Sequence, residues 1–428
     1  MSSSQDPHSD RRNELLNLLD LAEEKILYLR KKKIIEANPL VIFQLDKEIE
    51  QAEAERDKIT RLIAELDKNL TQGHQSQAVE NTFSTLAQPS ISFSLTNILH
   101  LSDLHFGSTD DAYNWYDTLA EDLHWELKCE TLDALILSGD IAKKSNLEEY
   151  CGAKQFLNDL CQEFQLQPQQ IVIVPGNHDL NWRLAEQAYT LQRRKEYTGP
   201  LDENHIIDKG EYIEVLDLEK YKQRFANFSQ FYQDIKGEPY PLAYEEQAIL
   251  HHFPEQNLLI VGLNSAWQLD HHYRNRASIH PRAISNALKQ IRQNPAYRNL
   301  LKIGVWHHPV NSPFEDRIKD AGFMERLAQS GFRFALHGHI HKAENSFYRY
   351  DVSTSGRKLD IVCAGTFGAP IGEWVPGYPL QYNLLKLEGN KLTVQTRRRE
   401  EPNGTWKPDA RWLMGAGQNP LPYYEIEL

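Results

Sequence analysis

Apolar residues follow two different rhythms along this chain. Between residues 12 and 70 they recur every three or four positions. Leu45, Ile49, Ala52, Ile59, Ile63, Leu66 and Leu70 form a stripe broken only by Arg56, and Leu15, Leu19, Ala22, Ile26 and Leu29 form another before it. Asn38-Pro39 lies between the stripes. Because proline drives its predecessor out of the helical region, the pattern predicts an antiparallel helical hairpin over 12–70, preceded by a flexible 1–11. Residues 71–92, rich in Gln, Ser and Thr and without a period, read as a linker.

From residue 93 to 428 short apolar runs alternate with stretches of helical spacing. "NILHL", "DALILS", "QIVIVP", "LLIVGL", "LKIGVW" and "FRFALH" read as buried strands; "NWYDTLAEDLHWELK" and "NLEEYCGAKQFLNDLCQEF" read as helices. This predicts an α/β domain in which helices cover a buried sheet. Residues 181–250 read as a helical insertion. Residues 380–428 read as β-rich, beginning with a hairpin of exposed strands around Glu388-Gly389-Asn390.

Composition narrows the class. No window reaches the roughly 18 uncharged apolar residues that a membrane span needs, and "MSSSQDPHSDRRNELL" lacks the apolar core of a signal peptide. The expectation is a cytoplasmic protein with no membrane partner. Cys129, Cys151, Cys161 and Cys363 have no CxxC spacing, which argues against a disulfide framework or a thiolate metal site. A net charge of −13 opposes non-specific attraction to nucleic acid, although a bound metal pair reverses the sign locally.

The chemistry sits where the apolar runs stop. "ILHLSDLHFG" ends in Asp103 and His105, "LILSGDIA" in Asp140, "IVIVPGNHDL" in Asn177, His178 and Asp179, "IGVWHHPV" in His307 and His308, and "FALHGHIHKAE" in His339 and His341. The exception, "LLIVGLNSAW", delivers Asn264 and Ser265. Ligands collect at the carboxyl ends of strands in open α/β sheets, so these segments are expected to converge. Imidazoles and carboxylates without thiolates suit Mn, Fe, Co, Ni or Zn, with Mn expected first. Two divalent ions about 3.5–4 Å apart clamp the attacking and leaving oxygens of a displacement at phosphorus. The glycines before Asp140, Asn177 and His339 are expected to let the backbone approach the metal or phosphate closely. His337 reads as a strand-end residue, and the pairs His251-His252 and His271-His272 as surface or cleft-rim residues.

The ordered set Asp-x-His, Gly-Asp, Gly-Asn-His-Asp, His-x-Pro and Gly-His-x-His resembles the calcineurin-like metallophosphoesterases over roughly residues 95–370. The resemblance implies a four-layer sandwich, two mixed sheets flanked by helices. It implies that Asp103, His105 and His341 hold one metal, that Asn177, His307 and His339 hold a second, and that Asp140 bridges both. It further implies that His178 contacts the phosphate, that Asp179 orients the His178 ring, and that a metal-bridging hydroxide attacks. His307 and His308 are both candidates for the fifth motif; the resemblance favours His307, leaving His308 to face the substrate.

The ester is expected to belong to a nucleotide or nucleic acid, a nuclease included; a broad phosphomonoesterase and a non-catalytic scaffold are the alternatives. Arg183, Arg193, Arg194, Lys195, Tyr221, Arg224, Phe228 and Tyr232 are candidates for a basic, aromatic wall over the site, and Arg397 to Arg399 for a second basic patch. A packed amphipathic helix and a solvated strand edge are the plainer readings of the same residues. The helical hairpin is similar to adaptor segments attached to effector enzymes in bacterial conflict and signalling systems, which implies a protein partner or self-association through it.

Overall fold

A computed structural model describes residues 95–428 except 311, 313–315, 351–357 and 414–418, together with Lys47, Arg56 and Lys58. The chain divides into units Met1–Pro89 and Ser90–Leu428. The expected linker, and all of the expected hairpin but Lys47, Arg56 and Lys58, lie outside the described residues.

The second unit begins with three parallel strands, β1 (Thr96–Leu101), β2 (Ala134–Leu137) and β3 (Ile171–Ile173). Helices α1 (Asp110–Glu121) and α2 (Leu147–Glu163) form the intervening crossovers. Alternation along β1 assigns its two faces. Ile98 joins an inner core, whereas Leu99 and Leu101 join an outer core under α1 and α2. Asn146 and Glu149 cap α2 reciprocally, which satisfies its first amides.

The segment expected to be a helical insertion is largely not one. After the short helix α3 (Trp182–Gln187) come β4 (Tyr189–Arg193), β5 (Ile206–Lys209) and β6 (Tyr212–Leu216), a separate antiparallel sheet in the order β4-β6-β5. Gly210, at φ +84°, closes the β5–β6 turn. Ile206 and Ile213 are buried in this stretch, but its apolar residues are too sparse among charges to show a two-residue period. Helices α4 (Leu218–Lys222) and α5 (Ala226–Lys236) complete it, and α5 packs Phe228, Phe231 and Tyr232 onto the outer core.

A second sheet follows: β7 (Ala248–Phe253), β8 (Leu258–Leu263), β9 (Leu301–Val305), β10 (Phe332–His337), β11 (Ala343–Arg349) and β12 (Lys358–Ala364), ordered β11-β12-β10-β9-β8-β7. Strands β8, β9, β10 and β12 run parallel, with β7 and β11 antiparallel at the edges. Helices α6 (Pro281–Gln293) and α7 (Gly322–Gln329) cover its outer face. Ile260, Ile303, Val305, Phe334 and Leu336 meet Ile98, Ile136 and Val174 in the inner core, so the two sheets pack face to face between helical layers. This is the expected four-layer mixed α/β sandwich.

The C-terminal strands β13 (Leu380–Glu388), β14 (Lys391–Arg399), β15 (Lys407–Pro408) and β16 (Tyr423–Glu427) join the first sheet through the β13–β1 pairing. Glu388 pairs with Lys391 across the turn, as the hairpin reading expects. The two hairpin strands, β13 and β14, are not exposed. β13 is an interior strand, Arg397 donates to buried Asp122 from Nε at 2.7 Å, and Arg399 is buried over Trp406. The expected basic patch is therefore two buried arginines and Arg398, which is paired with Glu400. Opposite charges in the core remove the stretch from the surface, an arrangement that charge counting along a sequence does not reveal.

Candidate metal centre

The parallel strands β1, β2 and β3 in one sheet and β9 and β10 in the other turn their carboxyl ends to a common edge. His307 Nδ1 reaches Ser138 O at 2.8 Å, His307 Nε2 lies 3.1 Å from Asp140 Oδ2, and the His339 amide donates to Asp103 Oδ2 at 2.9 Å. Each contact crosses between sheets. The convergence expected from the strand ends is thus present, through atoms far apart in sequence.

The backbone is strained at the same residues. Asp103, His105, Asp140, His339 and His341 all have φ between +50° and +72°, the left-handed region that side chains rarely adopt. Such conformations persist only where surrounding structure imposes them, and they cluster at functional sites. Glycine is required beside them. A Cβ on Gly176 would lie 2.1 Å from Asp140 Oδ1, and one on Gly338 would lie 1.7 Å from Ser102 Oγ. The close approach seen is to Asp140 of the constellation and to Ser102 beside Asp103.

Hydrogen bonds fix which nitrogen of His307, His341 and His339 faces inward. His307 Nδ1 donates to Ser138 O, His341 Nδ1 to Glu373 O at 2.9 Å, and His339 Nε2 to Asp316 Oδ2 at 2.8 Å. The remaining nitrogens of these three rings, when neutral, then carry lone pairs that face one another and His105, whose Nδ1 has no hydrogen-bond partner. His307 Nε2 lies 3.3 Å from His339 Nδ1, and His341 Nε2 lies 3.4 Å from His105 Nε2. The buried Asn177 Oδ1 faces the same region without a hydrogen-bond partner. Converging lone pairs beside two carboxylates repel unless a proton or cation lies between them, and anchoring the outer ring nitrogen on an acceptor is the usual support of a metal-binding histidine. Among the described residues, three sets bring their donor atoms within 4.8 Å of one another: Asp103, His105 and His341; Asp103, Asp140 and His307; and His307, His308 and His339. The residues present therefore fit divalent cations held by N and O donors.

Electrostatics lead to the same conclusion. Burial works against charge, yet Asp140 and Asp103 push the His307 pKa up to about 9, and Asp103 does the same for His341. Burial raises the Asp103 and Asp140 carboxyls, but the adjacent imidazoles outweigh it and hold both below the usual range. The two carboxylates thus favour positive charge at His307 and His341, whereas burial holds His105 down to about 4.

His308 is held differently from His307. Ser265 Oγ accepts the amides of His307 at 3.2 Å and His308 at 3.1 Å, and lies 2.8 Å from His308 Nδ1. With both lone pairs occupied, the hydroxyl donates to Nδ1, so Nε2 of this buried, neutral ring carries the proton. In this tautomer Nε2 is set to donate a hydrogen bond. Ser265 is the residue delivered by the one strand that broke the sequence pattern.

The His178 ring is held by Nδ1 donating to Lys143 O at 2.7 Å, and its amide donates to Asp140 Oδ1 at 2.7 Å. Although burial pulls its pKa down, Asp140 raises it above the ordinary value. Asp179, expected to orient that ring, instead accepts the amides of Ile141, Ala142 and Gly176 and the Tyr150 hydroxyl. It fastens the loop, because a buried carboxylate satisfies several orphan amides at once. Burial and the nearby Asp140 push its pKa up to about 6.

The expected basic wall is absent in its proposed form. Arg224 is fully buried over the Tyr221 ring and donates to Tyr221 O, Trp267 O and Tyr244 Oη, while Phe228 and Tyr232 are core residues. Arg183 is exposed on α3. Arg193 and Arg194 line a depression of about 580 Å³ with Lys195, Glu211 and Tyr212, and this shares no residue with the metal-type constellation. His251 is buried on β7 rather than at a surface or rim. The cleft that does adjoin the constellation, about 460 Å³, is lined by Asn177, His178, His308 and His339 together with Trp182, Leu269, Arg274 and Asp316. The last four gave no sequence signal, because they stand outside the motifs on irregular segments or at a helix start.

The family model for calcineurin-like phosphoesterases matches residues 96–343. A Bacillus subtilis protein described as the uncharacterized metallophosphoesterase-like protein YydB is 24% identical over 256 residues, 57% of this chain and 48% of its own length. The chain thus spans about half the length of that relative. Among solved structures, vacuolar protein sorting 29 from Cryptosporidium parvum covers 78% of this chain and 100% of its own, with 12% identity and a TM-score of 0.33. TT1561 of Thermus thermophilus covers 68% and 94%, with 14% identity and a TM-score of 0.33.

Proposed function

The chain belongs to the calcineurin-like phosphoesterase family, and from that premise we propose that it is a metal-dependent phosphodiesterase acting on nucleotides. The observation that carries this reading is the convergence of the inward nitrogens of His307, His339 and His341, anchored from outside, on His105, Asp103 and Asp140. Asp103, His105 and His341 would hold one divalent ion; Asn177, His307 and His339 would hold another, with Asp140 shared. Manganese is the proposed metal, on the mixed imidazole and carboxylate donor set. When bound, such a pair polarises phosphoryl oxygens and supplies a nucleophilic water at neutral pH.

The remaining work falls to protein groups. His308 Nε2, protonated through the Ser265 relay, donates to a phosphoryl oxygen and favours the charge that develops there. His178, with Nδ1 tied to Lys143 O, presents Nε2 to the leaving-group oxygen, and its raised pKa suits it to deliver a proton. The cleft beyond these rings leaves room for a second substituent on phosphorus, which favours a diester over a monoester.

The test is hydrolysis by Mn-loaded protein of bis-(p-nitrophenyl) phosphate, p-nitrophenyl phosphate, cyclic AMP, single-stranded DNA and RNA. The proposal expects the bis-ester to exceed the monoester. The reverse order would make the protein a phosphomonoesterase, and cleavage of the polymers alone would make it a nuclease.

A further inference from the structure

Trp182 and Arg274 line the cleft and play no part in the metal centre. Trp182 opens α3, and its Nε1 donates to Asn177 O at 3.2 Å, so the indole is fixed on the loop that carries a proposed ligand. Arg274, from the segment after β8, lies with its guanidinium carbon 5.7 Å from the Trp182 ring centroid, within cation–π range. Arg274 is exposed and Trp182 half-buried, so both present surface to the cleft they line. The carboxylate that shares the cleft, Asp316, is engaged by His339, and buried Leu269 adds an apolar wall.

We propose that Trp182 and Arg274 form a nucleoside subsite: the indole stacks on the base of the group attached to the reacting phosphorus, and Arg274 meets a phosphate beyond the scissile one. This rests on the phosphodiesterase reading above. An indole face is tolerant of base identity because every base has a π-face, and it sits beside the one arginine lining the cleft. The cleft volume, about 460 Å³, is on the scale of a nucleotide. Long strands require several phosphates to be neutralised; one arginine on a chain of net charge −13 suits a short ligand with few phosphates. The shared chemistry is a nucleoside bearing two phosphates, supplied by a nucleoside diphosphate or a dinucleotide.

The experiment measures inhibition of bis-(p-nitrophenyl) phosphate hydrolysis by the Mn-loaded full chain, with ribose 5-phosphate, AMP, ADP and the dinucleotide pApA as probes. AMP is expected to inhibit roughly tenfold or more better than ribose 5-phosphate, an advantage that Trp182→Ala removes and Trp182→Phe largely keeps. ADP or pApA is expected to exceed AMP roughly tenfold, and Arg274→Gln removes that gain. Whichever of the two binds better identifies the source of the second phosphate. Equal inhibition by AMP and ribose 5-phosphate, or an AMP advantage that survives in Trp182→Ala, overturns the stacking role. A second-phosphate gain intact in exposed Arg274→Gln overturns the arginine role, even where the tryptophan variant does not fold. A wild type that hydrolyses nothing overturns the phosphodiesterase reading, and titration calorimetry with the same probes and variants then decides the subsite separately.

Discussion

Asp316 accepts a 2.8 Å hydrogen bond from Nε2 of His339, and in doing so turns Nδ1 of that ring toward His307. The carboxylate comes from the segment after β9, well outside any motif. Partners of this kind orient metal-binding rings and raise their basicity, and their loss typically weakens metal binding about 10-fold to 100-fold. Asp316→Ala is expected to lower Mn affinity by that factor, read by Mn titration with electron paramagnetic resonance. Asp316→Asn keeps an acceptor without the charge and is expected to fall between. Unchanged affinity in Asp316→Ala would remove Asp316 from the account.

Asp140 lies against His307 through one oxygen and accepts the His178 amide through the other. Asp140→Asn preserves an acceptor for that amide but removes the charge proposed to be shared by two ions. Turnover is expected to fall to the level of metal-free protein, with circular dichroism unchanged. Activity near wild type would refute the shared-ligand assignment.

Ser265→Ala releases His308 from its fixed tautomer and leaves two buried amides without an acceptor. Each unsatisfied amide costs about 1–3 kcal/mol, so a lower melting temperature is expected. A purely structural residue would stop there. The tautomer argument also expects kcat to fall by roughly tenfold or more at a temperature where the variant is folded, since the donor to the phosphoryl oxygen is no longer fixed. A kcat equal to wild type would show that His308 does not act as that donor.

His251 supplies a stability test away from the site. It is buried on β7 with Nε2 unpartnered, and burial together with nearby Lys236 pulls its pKa down to about 3. The folded state keeps the ring neutral while the unfolded chain takes up a proton below about pH 6.5. The stabilising contribution is therefore complete above about pH 6.5 and shrinks as pH falls toward about 3, at up to about 1.4 kcal/mol per pH unit. His251→Leu removes that slope. Denaturant melts of both proteins between pH 7 and 4 are expected to shift relative to each other in the variant's favour as the solution becomes acidic; parallel curves would contradict the assignment.

The metal-type residues were legible because β1, β2, β3, β9 and β10 are nearly all buried, with short apolar runs after which the candidate ligands follow. The same logic singled out Ser265, though its effect on His308 needed the hydroxyl's full hydrogen-bond inventory. Asp316, Trp182 and Arg274 were illegible because no periodicity marks such positions. Arg224 and Arg397 misled because charge reads as surface until its partners, Tyr244 and Trp267 for one and Asp122 for the other, are seen. Asp179 misled for a related reason: its carboxylate was assigned to the adjacent ring when the nearer demand was three orphan amides.

The central claim is that the fixed lone pairs hold a pair of catalytic cations. The most direct measurement is Mn titration of metal-stripped full-length protein, with bound metal and bis-(p-nitrophenyl) phosphate hydrolysis read on the same samples. The account expects hydrolysis to rise to a plateau at about two Mn per chain and to stay flat in Asp140→Asn. A chain that binds no metal at micromolar concentration, or that hydrolyses equally well in chelator, would contradict it.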